Sequence, residues 1–265
     1  MCPNEIRYVR NTSTYPLGIP PHGDDKHRFR TEERIGSMDV LARLDEVRSA
    51  TNVLEHPFYE RWSAGELSVG ELSVYAREYR HAVLALARAS EQVAVKVEPE
   101  HRAGLERHAE EEAAHVALWD EFARAARAAA GSERAQDARA DDEPVPAAQT
   151  QACVAAWTAG ADALEHLAVL YAIEAGQPEI SRTKLEGLTG HYGYVAEGPA
   201  VEYFRLHERL DVEHARQAGE LIQELLDGHP NAEAMADRMV GRAQAALMGN
   251  WELLDGVQAR VAAEV

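Results

Sequence analysis

Cysteine is nearly absent. Only Cys2 and Cys153 occur in 265 residues, which excludes a disulfide framework and a cysteine-rich zinc site. Cys153 lies in the apolar helical run QACVAAW and reads as a buried small residue rather than a nucleophile. Long hydrophobic runs are missing as well. No stretch reaches the ~18 apolar residues of a membrane span, so none is expected. The opening MCPNEIRYVRNTSTYP lacks the apolar core of a secretory signal, and a cytoplasmic location is the expectation. Positive charge is in deficit. There are 27 Lys and Arg against 45 Asp and Glu, and a net charge of −18 makes nucleic acid and anionic membrane poor partners. Strand patterning is absent too, since no run alternates apolar and polar residues with β-branched enrichment.

What is present is helix. Apolar residues make up 46% and charged residues 27%, the profile of a soluble globular chain long enough for one sizeable core. Residues 1–37, broken by Pro3, Pro16, Pro20 and Pro21, read as an irregular N-terminal extension. Residues 38–265 read as a single helical domain. A first helix covers VLARLDEVRSATN, and the short segment HPFYERW follows. Ser68 and Glu71 form a capping-box pattern ahead of a long helix that ends near Val97. A second long helix spans roughly 100–130 and stops at Gly131. Residues 131–146 read as a polar linker. A third long helix is expected over 147–175, a shorter one over 179–190, a fourth long helix over 199–227 and a last one over 231–262. The expected fold is an all-α bundle of seven or eight helices, the kind of architecture that builds metal sites from inward-facing side chains.

Three patterns carry chemistry. In EYFRLHERLDVEHARQ, His207, Asp211 and His214 are spaced i, i+4, i+7 and project within about 60° of one another on a helix. Two imidazoles and a carboxylate on one stripe suit iron, manganese or zinc; a solvated polar face is the competing reading. Glu174 ends the apolar run HLAVLYAIEAG, where a buried carboxylate needs a cation or a hydrogen-bond partner. Its alternative is a position near solvent, because Gly176 follows. In HAEEEAAHVALW, His115 follows Glu112 by three residues and Glu111 by four, and either pair shares a face. A Glu-x-x-His pair is a pattern of dimetal helical bundles, although acidic runs on helices are usually surface. Together these residues are enough for two metals with open positions left over.

The stretches HPFYERWSAGELSVGELSVYAREYRHAV, LYAIEAGQPEISRTKLEGLTGHYG and EYFRLHERLDVEHARQ resemble the haem-oxygenase-like dimetal oxidases and oxygenases. The pattern is closest to that of the chlamydial proteins associating with death domains and their bacterial relatives. The resemblance covers about residues 45–225. It implies the seven-helix bundle shared with TenA and PqqC, and two irons, or iron and manganese, activating O₂. The ligands it implies are Glu112 (with Glu111 as the alternative), His115, Glu174, His207, Asp211 and His214. One position departs. Where the chlamydial type carries Glu seven residues before the His, this chain has His108, which reads as a short deletion in the helix.

The resemblance also brings Tyr59 and Lys184 into play. The chlamydial type makes para-aminobenzoate from one of its own tyrosines, with a lysine as amino donor, and these two residues stand at the matching positions. Tyr75 and Tyr203 match aromatic positions, whereas Ile173 stands where the pattern has Tyr. The leading expectation is an O₂-activating oxygenase acting on a small amine or amino acid, with an external reductant and a homodimeric assembly, in which Tyr59 and Lys184 only pack. The alternative is the self-sacrificing para-aminobenzoate-forming enzyme, with Tyr59 and Lys184 as reactants. A further alternative is a metal-free TenA- or PqqC-like enzyme or binding protein. Helix phase suggests Tyr79, His81, Tyr171 and Arg205 as pocket lining, and places His81 and His166 near the metals or in the core.

Overall fold

A computed structural model describes residues 40–131 and 145–264. The expected N-terminal extension and most of the 131–146 linker lie outside these residues. A first helix, α1, occupies 40–50. Then come α2 (Pro57–Ala64), α3 (Val69–Lys96), α4 (Pro99–Ala129), α5 (Ala148–Trp157), α6 (Ala163–Glu174), α7 (Gln177–Gly190), α8 (Glu202–Leu226) and α9 (Ala232–Glu264). No strand occurs among the described residues, as expected.

HPFYERW is a helix in its own right. His56 caps α2, its Nδ1 accepting from the Phe58 amide at 3.0 Å, and Pro57 fills the first turn where no amide is needed. The other His56 nitrogen meets Asp255 of α9 at 3.2 Å. The Ser68–Glu71 capping box is present, and Glu71 also takes two hydrogen bonds from Arg61 of α2, at 2.7 and 3.1 Å. These ties fix the angle at which α2 presents Tyr59 inward.

The third long helix expected over 147–175 is two helices. Thr158 returns its hydroxyl to the Val154 carbonyl, ending α5, and Asp162 caps α6 by accepting from the Glu165 amide. Gly160 lets the chain turn against the His166 ring, which a Cβ there would meet at 2.7 Å. The turn decides where α6 begins and hence which way Glu174 points at its other end.

The buried core runs along α3, which packs against α4, α5, α6 and α9. α8 packs on α7, α6 and α4. α2 lies against α7, where Gly187 admits Trp62 so closely that a Cβ would sit 2.4 Å from the indole nitrogen. That indole donates to the Lys184 carbonyl at 3.2 Å. Tyr59 and Lys184, 125 residues apart in sequence, are thereby brought face to face.

Candidate metal centre and aromatic chamber

Two stripes face each other where α4 and α8 cross. On α8, His207, Asp211 and His214 are all buried, so the polar-face alternative for this stripe is not what the fold shows. On α4, Glu112 and His115 are buried, while Glu111 is half-exposed. Glu112 stands at the centre. Its carboxylate lies 3.1 Å from His115 Nδ1, 3.9 Å from His207 Nε2 and 4.0 Å from His214 Nδ1. Among the described residues Glu111 reaches only His214, at 3.3 Å from the rim. Glu174 is fully buried at the end of α6.

One residue enters the cluster that sequence reasoning did not place there: α4 is a continuous helix, and the His108 imidazole on it reaches Glu174. His108 Nε2 is 3.0 Å from Glu174 Oε1, and its ring centroid is 4.3 Å from that of His214. The available signal was spacing, because His108, Glu112 and His115 repeat the i, i+4, i+7 pattern of α8.

The donor atoms suit a metal. His207 donates Nδ1–H to the Tyr203 carbonyl at 2.7 Å, which leaves Nε2 as the free, metal-facing nitrogen. That atom, both oxygens of Asp211, both of Glu174, His214 Nδ1 and His108 Nε2 are buried without a hydrogen-bond partner. Orphaned donors and acceptors at this density are costly unless a cation gathers them. Two trios lie within ligating distance, Glu112–His115–His207 and His108–Glu174–His214, and a third set joins Glu112, Asp211 and His214.

The charges respond to this crowding. Burial works against a charged Glu112, yet the hydrogen-bonded His115 and the nearby His207 imidazole hold its carboxyl well below the usual range. For Glu174 and Asp211 burial wins and pushes both carboxyls up. Burial also opposes charge on His214, but Asp211 and the nearby glutamates raise it to about 9. The imidazoles His108, His207 and His214 are all pulled up by these carboxylates, and bound divalent metal would supply the same compensating positive charge.

Beside the cluster is an aromatic chamber. Lys184, fully buried, places Nζ 4.6 Å from the Tyr79 ring centroid and 5.5 Å from that of Tyr59, with Tyr75, Trp119 and Phe204 completing the walls. No carboxylate pairs with Lys184 among the described residues. Burial therefore brings its amine down to about 7. The Tyr59 and Tyr75 hydroxyls are 2.9 Å apart, and burial pushes both phenols well up.

Lys184 is thus a liability for folding. Its value falls below that of the unfolded chain, so the unfolded chain binds the proton more tightly, and stability rises with pH between about 7 and 10.5. Lys184→Met is expected to raise the unfolding free energy at pH 7 by on the order of 3 kcal/mol, with cation–π contact offsetting part of the penalty. The gain should shrink towards zero near pH 10.5. Urea denaturation of both forms at the two pH values measures it.

The remaining sequence expectations divide. Tyr79 lines the chamber. Tyr171 instead faces Asp45 of α1, at 3.2 Å, and Arg205 pairs with Glu197 and Glu202 at 3.0 and 3.1 Å. His81 and His166 belong to none of the metal-capable groups among the described residues. Cys153 is fully buried and its thiol is pushed up, so it is no nucleophile. A cavity of about 130 Å³ reaches the cluster at His108 and His214, with Leu105, Leu167, Leu170 and Leu221 among its walls. No helix among the described residues is long and apolar enough to cross a membrane.

Comparison with known proteins agrees with this geometry. Residues 73–248 match the family model described as iron-containing redox enzyme. The 4-aminobenzoate synthase of Chlamydia trachomatis serovar D is 31% identical over 195 residues, covering 71% of this chain and 81% of that one. The 4-aminobenzoate synthase of Nitrosomonas europaea is 28% identical, over 81% of this chain and 89% of that one. Among solved structures, a TenA homologue from Pseudomonas syringae pv. tomato superposes with a TM-score of 0.67 at 16% identity, covering 84% of this chain and 92% of that one. A haem-oxygenase-like domain of unknown function from Shewanella denitrificans gives 0.64 at 18%, covering 85% and 91%. The two structural likenesses speak for the fold alone. Fold, buried donor set and family match converge: the chain belongs to the iron-containing redox enzymes with the all-α, haem-oxygenase-like fold.

Proposed function

We propose that this protein forms 4-aminobenzoate from its own Tyr59, with Lys184 as the nitrogen source, at a two-iron centre held by Glu112, His115, Glu174, His207, Asp211 and His214. The observation that carries the reading is the Lys184 amine, fully buried with no acid partner among the described residues and facing the Tyr59 ring at 5.5 Å. A lysine that only packs recovers through cation–π contact no more than part of its burial penalty, and apolar residues would fill the space at lower cost. The names of the relatives point the same way. Both considerations reverse the preference formed from sequence, which gave Tyr59 and Lys184 packing roles beside an external amine substrate. The cavity at His108 and His214, about 130 Å³, is also small for such a substrate, since ligand pockets run to ~300 Å³ and above.

Bound iron would supply O₂ activation, with an external reductant as the electron source. The net change breaks the Tyr59 Cα–Cβ bond and oxidises Cβ to the product carboxylate at the expense of O₂, replaces the ring C–O bond by C–N, and breaks the Lys184 Cε–Nζ bond; the chain's own groups position these reactants. Tyr75 holds the Tyr59 oxygen and offers the nearest acceptor for its proton, at 2.9 Å. At neutral pH an amine with a value of about 7 keeps a large uncharged fraction, so its lone pair is available to the ring. Tyr203 stacks on His207 with centroids 4.0 Å apart, Trp119 meets Tyr203 at 4.9 Å, and Tyr75 meets Trp119 at 5.9 Å. These rings join the donor cluster to Tyr59's partner without a break. Burial of every member keeps water from the ring.

The test is stoichiometry. Protein loaded with Fe(II) and exposed to O₂ and reductant, with no added substrate, is expected to release 4-aminobenzoate up to about one per chain and then stop. Continued turnover on an added amine would instead favour the external-substrate oxygenase, the reading that Ile173 in place of Tyr supports.

A further inference from the structure

We propose that His108 is a seventh metal ligand, holding one ion together with Glu174 and His214. The proposal rests on the two-metal reading above and adds to it a residue that the family pattern does not supply. The matching position in the chlamydial type is a Glu.

The two crossing helices carry the same motif. α4 presents His108, Glu112 and His115, and α8 presents His207, Asp211 and His214. Each stripe reads His-x3-carboxylate-x2-His. The helices run antiparallel at the crossing, so the first His of one meets the last His of the other. His108 lies 4.3 Å from His214, and His115 lies 4.7 Å from His207, between ring centroids. The pairing is an approximate two-fold: each end has two imidazoles, and Glu112 and Asp211 lie between the ends. Taking His108 away leaves one end with a single imidazole and breaks the match.

Glu174 gives an independent reason. It is fully buried, and both its oxygens lack a hydrogen-bond partner. Its one possible cationic partner within 4.0 Å, among the described residues, is His108. Their 3.0 Å approach is too poorly aligned for a hydrogen bond, and Nε2 of His108 is likewise unpartnered. Two unpartnered ligand atoms this close, with His214 beside them, form one of the three metal-capable groups. The exchange of a carboxylate for a neutral imidazole leaves the ligand set one negative charge poorer at this end, and gives the ion there a softer, nitrogen-rich environment.

The experiment counts irons. Wild type, His108→Ala, His108→Glu and His115→Ala are loaded anaerobically with Fe(II), desalted, and measured by elemental mass spectrometry and Mössbauer spectroscopy. Circular dichroism confirms the fold, and His108→Gln replaces the Ala variant should that one fail to fold. Wild type should hold two irons. His108→Ala should hold close to one, with affinity for the second down by ~10-fold or more. His108→Glu should regain two, with a changed quadrupole splitting for one iron only. Two irons with an unchanged spectrum in His108→Ala would overturn the role of His108 and leave the two-metal reading standing. Well under one iron in wild type would overturn both.

Discussion

Tyr59→Phe is expected to lose 4-aminobenzoate formation altogether, with the fold and the iron content unchanged. The two side chains differ by one oxygen. If Tyr59 only packs, the change removes a buried hydrogen bond to Tyr75, worth about 1 kcal/mol. In a rate, that amounts to less than ~10-fold. If Tyr59 is the source of the product ring, the phenol oxygen is where the nitrogen must enter, and a phenyl ring lacks that handle. The loss should then exceed ~100-fold, well beyond any packing effect. Chromatographic detection of 4-aminobenzoate after a single aerobic exposure measures it. Full yield from the Phe variant would return Tyr59 to the chamber wall.

Glu112→Ala is expected to strip the metal centre more completely than any other single change. Among the described residues, Glu112 is the only carboxylate found in two of the three metal-capable groups. It approaches imidazoles from both ends of the cluster. Its removal takes an anion from each ion position and leaves His115 without the carboxylate it is hydrogen-bonded to. Iron affinity should fall by roughly 100-fold or more at both positions. Glu111→Ala should do far less, since that side chain is half-exposed and meets only His214. Competition with a chromophoric chelator gives both affinities. Equal losses in the two variants would show that the rim residue shares the role.

Much of this was legible in the sequence. The α8 stripe could be read because its spacing puts three donors on one face whatever the helix packs against. Glu174 could be read because the run before it leaves no polar face. His108 could not, as long as a carboxylate was expected at its position. The second His-x3-carboxylate-x2-His stripe was nonetheless present in the sequence. Its meaning came from the crossing of α4 and α8, which helical phase alone does not fix. The same limit explains Tyr171 and Arg205: phase assigned them a face, but the neighbouring helix lies elsewhere. The break within 147–175 turned on the fit between Gly160 and His166, a contact with no local signature.

The resemblance paired Tyr59 with Lys184, but their contact in space could not be read from the residues. Nothing in either segment says that Trp62 seats over Gly187 and brings α2 onto α7. With that contact in place, a sequence match between two distant residues becomes a chamber with an unpaired amine and a phenol at its centre.

The origin of the product ring is the central question, and mass labelling answers it. Protein grown with ring-¹³C tyrosine is purified, supplied with Fe(II), O₂ and reductant in buffer containing unlabelled tyrosine, and digested after reaction. Labelled 4-aminobenzoate, accompanied by a peptide that has lost its side chain at residue 59, is the expected result. Unlabelled product, or labelled product from a chain with Tyr59 intact, would contradict it.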